Sequence, residues 1–91
     1  MATSKTKKGR VSFKLEAPEA QKVSLMGDFN NWNPKTHVIK KNKKGVWSKT
    51  ILIAPGRYEY KFFVDGEWWL DPENHQTVQN TFGSTNNVLI I

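Results

Sequence analysis

The feature that most constrains this chain is Tyr60-Lys61-Phe62-Phe63-Val64-Asp65-Gly66-Glu67-Trp68-Trp69. Asp-Gly between two β-rich runs is the strongest short-range signal for a hairpin closed by a two-residue turn. Such a turn fixes the register. Val64 then faces Glu67, Phe63 faces Trp68, Phe62 faces Trp69 and Lys61 faces Leu70, and paired residues share a face of the sheet. One face carries Arg57, Glu59, Lys61, Phe63 and Trp68; the other carries Tyr58, Tyr60, Phe62, Val64 and Trp69. The second set is apolar and reads as core. Trp69 is therefore expected to pack inward and Trp68 to look outward beside Lys61, whereas a slip of one residue would reverse the two.

The rest of the chain is also strand-like. Val11, Phe13 and Leu15 alternate with polar residues as far as Pro18. Val23 and Leu25 alternate up to Gly27, and Val38-Ile39 can form a short strand. Trp47, Ile51 and Ile53 share a face, with Lys49 an exception on it, and Val88 to Ile91 closes the chain. Asp71 to Thr81 reads as a long polar connection. No segment holds a helical period. Short strands separated by turn signals every 8–12 residues or so indicate an all-β, immunoglobulin-like antiparallel sandwich of about seven strands.

Composition narrows the functional classes. There is no cysteine, hence no disulfide or thiolate metal site. The net charge is +6, but Lys5, Lys7, Lys8 and Arg10 lie in the N-terminal stretch, and Lys40, Lys41, Lys43 and Lys44 surround one loop. Setting those eight aside leaves six basic residues against eight acidic ones. That distribution reads as a solvated tail and loop, and a nucleic-acid partner is not expected. Residues 1–10 are taken as a basic, flexible tail without an apolar signal segment, and 11–91 as one domain. No run is long enough to span a membrane, so a cytoplasmic protein is expected.

Catalysis is disfavoured. His37 and His75 sit in separate loops without a recognisable motif, and no metal or cofactor is called for. Asp65, Glu67, Asp71 and Glu73 are numerous, but turn roles account for Asp65 and Asp71, and a thin sandwich has little bulk for a deep cleft. A binding constellation fits better. Trp32 lies in the loop Gly27–Pro34, and Phe82 lies in a polar loop followed by Ser84 and Asn86; each either folds back to cap the sandwich or stands exposed. Trp47 and Phe29 are expected in the core. Exposed indoles suit the C–H faces of a sugar ring, while Lys61 and Asn86 suit its hydroxyls.

Gly27-Asp28-Phe29-Asn30-Asn31-Trp32, the run Gly56–Trp68, Asp71-Pro72 and Asn86-Asn87 together resemble carbohydrate-binding module family 48. That family includes the glycogen-binding domain of the AMP-activated protein kinase β subunit and N-terminal domains of branching and debranching enzymes of the α-amylase superfamily. The similarity runs from about Val11 to Ile91. It implies an early-set immunoglobulin-like sandwich that binds α-1,4-glucans such as glycogen, starch and maltooligosaccharides without catalysing a reaction. It also implies Trp32 and Trp68 as stacking platforms, Lys61, Ser84 and Asn86 as hydroxyl ligands, and Phe82 as an apolar contact. Ser84 stands where the kinase-type module has threonine and Phe82 where it has leucine, and Trp69 departs from that pattern. The resemblance leaves open a regulatory or accessory role, docking to a glucan-active enzyme or a kinase.

Overall fold

The computed structural model describes residues 9–81 and 83–91. The candidate Phe82 and most of the expected basic tail lie outside the described residues. Among the described residues, eight strands follow one another: β1 Gly9–Glu16, β2 Val23–Gly27, β3 Val38–Lys41, β4 Val46–Ile53, β5 Arg57–Val64, β6 Glu67–Trp69, β7 Thr77–Gln79 and β8 Thr85–Ile90. One 3-10 turn among the described residues, Asp28–Asn30, follows β2. The strand β7 falls in the stretch expected to be a connection, and β8 begins three residues before Val88. Three-residue strands such as β7 are too short to show an alternation in sequence.

Among the described residues all pairings are antiparallel, in the order β1-β4-β3-β2-β5-β8-β7, with β6 pairing β5 off this path. The short strand β3 joins the two layers. Val38 and Ile39 pair with β2, whereas Lys40 and Lys41 pair with β4. A strand that changes sheets is how a sandwich turns its corner, and the immunoglobulin-like sandwich is the fold observed.

Between the layers lie Phe13, Leu15, Val23, Leu25, Ile39, Trp47, Ile51, Ile53, Tyr60, Phe62 and Val64, all buried. Burying a side chain of this size stabilises by about 1.5–3 kcal/mol. Phe29 packs against the same cluster from the 28–30 turn, as expected. Gly27 allows that approach: a Cβ there would lie 2.7 Å from both the Glu59 carbonyl oxygen and the Tyr60 Cβ, and 2.9 Å from the Phe29 ring.

The outer face of β2 and β5 is not simply solvated. Ser24 and Met26 are buried although their parity points them away from the core. Ser24 donates to the Pro34 carbonyl at 2.9 Å, so the 28–37 loop folds over this face. Met26 pairs with Lys61 and forms part of the floor of a cleft.

Candidate functional site

The cleft is built at a junction in the sheet. Along one edge, β5 pairs with β8 through Arg57–Tyr60 and then with β6 through Phe62–Val64. Lys61 sits where the partner changes. The hairpin register is the one the turn dictates, with Phe62 opposite Trp69, Phe63 opposite Trp68 and Val64 opposite Glu67. Asp65 has φ 48° and Gly66 φ 86°, the paired left-handed conformations of a type I′ turn. The Asp65 carboxylate also accepts from the Gln21 and Lys22 amides at 2.8–3.1 Å, which ties the turn to the start of β2.

Trp68 looks outward and is 50% exposed. Its ring lies 4.8 Å from Phe63 and 6.0 Å from Trp32 between centroids, the two indoles crossing at 72°. Trp32 is half-buried rather than fully exposed. Its backbone has φ 56°, as has Asn31, a conformation that costs a bulky residue energy and persists only when its surroundings impose it. Two bonds impose it here: the Trp32 amide donates to the Gly27 carbonyl and the indole N–H donates to Asp28 Oδ1, both at 2.9 Å. Asp28 Oδ2 accepts from the Glu59 amide at 2.8 Å, so one carboxylate fixes the ring to β5.

Lys61 is on the predicted face but is buried, 7% exposed. Its ammonium donates to Ser84 Oγ at 2.7 Å and lies 5.8 Å from the Trp68 ring centroid, within cation–π range. Burial holds its pKa below the ordinary lysine value. Asn86 is buried too. It donates to Glu59 Oε1 at 3.0 Å, and its carbonyl oxygen accepts from Asn80 at 3.3 Å. Glu59 also accepts from Arg57 at 3.1 Å.

The structure thus brings Trp32, Lys61, Trp68, Ser84 and Asn86 to one cleft of about 610 Å³, with Met26, Asp28, Glu59 and Asn80 completing the lining. Trp47 is core, its indole N–H donating to the Ala17 carbonyl at 2.8 Å. Trp69 corrects the sequence reading. The register turns it to the core side, yet it is 38% exposed. Residues 16–20 and, from the hairpin, Val64 and Asp65 line a groove at its ring but leave much of the indole in solvent.

A family model described as the glycogen recognition site of AMP-activated protein kinase matches residues 10–91. The chain belongs to this family of glycogen-recognition domains. It is 40% identical over 72 residues to protein PTST homolog 2, chloroplastic, of Arabidopsis thaliana, covering 79% of this chain and 13% of that protein. It is 40% identical over 70 residues to the human 5'-AMP-activated protein kinase subunit beta-2, covering 76% of this chain and 24% of that protein. The structure of a maltogenic amylase from S. marinus aligns with a TM-score of 0.74 at 28% identity, over 96% of this chain and 14% of that one. The chain therefore spans only 13% to 24% of these two curated relatives.

Within this glycogen-recognition domain, the sequence reading left out Met26, Asp28, Glu59 and Asn80. Met26 was accessible by parity with Ser24, and Glu59 already lay on the outward face with Lys61. Asp28 carried no such signal, because its two partners lie on a loop and on another strand. Among the described residues, no group of three or more His, Asp or Glu side chains could hold a metal ion, and no helix is long and apolar enough to cross a membrane.

Proposed function

We propose that this domain binds α-1,4-glucans without catalysing a reaction on them, and that Trp32 and Trp68 stack on sugar rings while Lys61, Ser84 and Asn86 bind hydroxyls. Phe82 is proposed as a further apolar contact. The observation that carries the reading is the 72° crossing of two indoles 6.0 Å apart. Sugar rings lying on both planes cannot be coplanar. An α-1,4-linked chain turns at each linkage and meets that demand, whereas a β-1,4-linked ribbon is flat. The family match and relatives named for α-glucan branching point the same way.

The cleft's two carboxylates are already committed to internal bonds, Asp28 to the Trp32 and Glu59 N–H groups and Glu59 to Arg57 and Asn86. Neither is poised as an acid or a nucleophile. By analogy with nucleic-acid bases, each stacked ring contributes about 1–3 kcal/mol. Two platforms less ordering costs give a dissociation constant roughly between millimolar and micromolar. Weak single contacts suit a module that holds a polymer many times over.

The small share of each relative that this chain spans favours a companion reading, in which the domain serves a glucan-active enzyme or a kinase to which it is joined or docked. A cytoplasmic setting is part of the proposal, although some relatives are named as chloroplastic; neutral sugars stack on indoles in either compartment.

The test is a titration with maltoheptaose, β-cyclodextrin and cellohexaose, together with glycogen co-sedimentation. Maltoheptaose and the cyclic glucan are expected to bind and cellohexaose is not. Trp68→Ala is expected to abolish co-sedimentation while the domain stays folded, since that ring is half in solvent. Wild-type protein that binds neither glycogen nor maltoheptaose overturns the reading.

A further inference from the structure

The two neighbouring tryptophans of β6 are both exposed, on opposite sides of one strand. Trp69 lines a second, smaller groove of about 300 Å³ with Ala17, Pro18, Ala20 and Val64. Glu16 and Glu19 stand at the same groove. Among the described residues, the Trp69 indole N–H and both of these carboxylates have no hydrogen-bond or ion-pair partner. Strand β6 pairs with β5 alone, so among the described residues its other edge is open.

An apolar ring plane beside vacant acceptors and a vacant donor is the chemistry of a hydroxyl-rich ring. The path from one indole to the other runs round the open edge of β6. It must span at least the depth of one sheet with its side chains, on the order of 10 Å, which several glucose units of a bending polymer can cover.

We propose that Trp69 is a second stacking surface, engaged by an α-glucan chain long enough to pass from the Trp68 cleft round the open edge of β6. This rests on the glucan reading of the first cleft and adds to it a preference for length. A short oligosaccharide occupies the Trp32–Trp68 cleft only. A longer one reaches the 16–20 groove and gains a third platform, with Glu16 and Glu19 accepting from its hydroxyls.

The experiment follows the four tryptophan indole N–H signals by two-dimensional NMR during titration with maltotriose and then maltodecaose. The Trp32 and Trp68 signals are expected to move with both ligands, and the Trp69 signal with maltodecaose alone. Trp69→Ala is expected to reduce the affinity advantage of maltodecaose over maltotriose by about fivefold or more, the equivalent of one modest stacking contact. Trp69→Phe fills the groove with a smaller platform and is expected to restore part of that advantage, which separates stacking from damage to the fold. If the Trp68 signal moves and the Trp69 signal stays still at saturating maltodecaose, the second surface is refuted and the first cleft stands. A Trp69 signal that moves with a lysine-rich peptide and not with the glucan refutes it equally. A protein in which no indole responds to any glucan refutes both proposals.

Discussion

Lys61 shows at the level of one residue what the cleft costs the fold. Its ammonium is buried against Trp68 with a hydroxyl, not a carboxylate, as its hydrogen-bond partner. Burial disfavours the charged form and lowers its pKa. Lys61→Met removes that penalty, and Ser84, being exposed, exchanges the lost bond for water. The variant is therefore expected to melt at a higher temperature than wild type at pH 7 and to bind glycogen more weakly. The pH dependence has a definite sign. The unfolded lysine titrates near 10.5 and the folded one lower, so the unfolded state holds more protons in between and wild-type stability rises with pH across that window. The melting-temperature gap between variant and wild type should narrow from neutral pH towards 10.5. Equal or lower stability of the variant at pH 7 would mean that the lysine is not strained by its burial.

Among the elements, the 28–37 loop carries Trp32, and its geometry turns on Asn30. The orientation of that buried amide is set by the backbone: Oδ1 accepts from the Gly27 amide at 3.1 Å and Nδ2 donates to the Leu25 carbonyl at 2.8 Å. Nδ2 also lies 2.8 Å from His37 Nδ1, so this nitrogen must accept and the imidazole must be neutral. Burial first, and then the charge of Lys49, lower the His37 pKa below 6.5. A histidine whose folded pKa is depressed contributes its full stability above the unfolded value, and that contribution is lost as pH falls through the folded one. Between pH 6.5 and about 5, above the range where most carboxylates titrate, thermal stability and glycogen affinity are expected to fall together. In His37→Gln, whose amide oxygen can accept the same bond without titrating, both should stay flat over that window. A wild-type profile that is flat as well would show that the Asn30–His37 bond does not hold the loop.

The hairpin was legible in the sequence for a physical reason, and its limit has one too. A two-residue turn leaves one register, and the register assigns faces; hence Phe63 opposite Trp68 and the outward Trp68. A register does not say how far the opposite layer extends, so Trp69 was placed on the right side and wrongly expected to be covered. The same gap hid the burial of Lys61, Ser24 and Met26, because the loops that cover that face arrive from elsewhere in the chain. Asn86-Asn87 repeats the lesson of Trp68-Trp69 on β8: one neighbour faces the cleft and the other the interior.

In the whole molecule, that inward neighbour fastens the polar connection on which the site depends. Asn87 is 0% exposed. Its oxygen accepts from the Asp71 amide at 2.7 Å, and its nitrogen donates to the Asn74 and Asp71 carbonyls at 3.0 and 3.4 Å. Asp71 Oδ2 accepts from the Tyr60 hydroxyl at 2.7 Å, and Asn74 donates to that hydroxyl and to the Val88 carbonyl at 3.1 and 2.9 Å. The segment between β6 and β7 looks like a loop in sequence, yet it is pinned to β5 and β8 through a satisfied buried network. Removing one member leaves others without partners, each costing about 1–3 kcal/mol. Asn87→Ala orphans a buried amide and weakens two carbonyls, and is expected to lower the free energy of unfolding by about 3 kcal/mol or more. Asn86→Ala, its neighbour in the cleft, should cost markedly less stability but should weaken glucan binding. Urea unfolding of the two variants, read beside glycogen co-sedimentation, separates the roles. Equal destabilisation by both changes would mean that the outward asparagine supports the fold as much as the inward one, and would remove the basis for placing Asn86 among the sugar ligands.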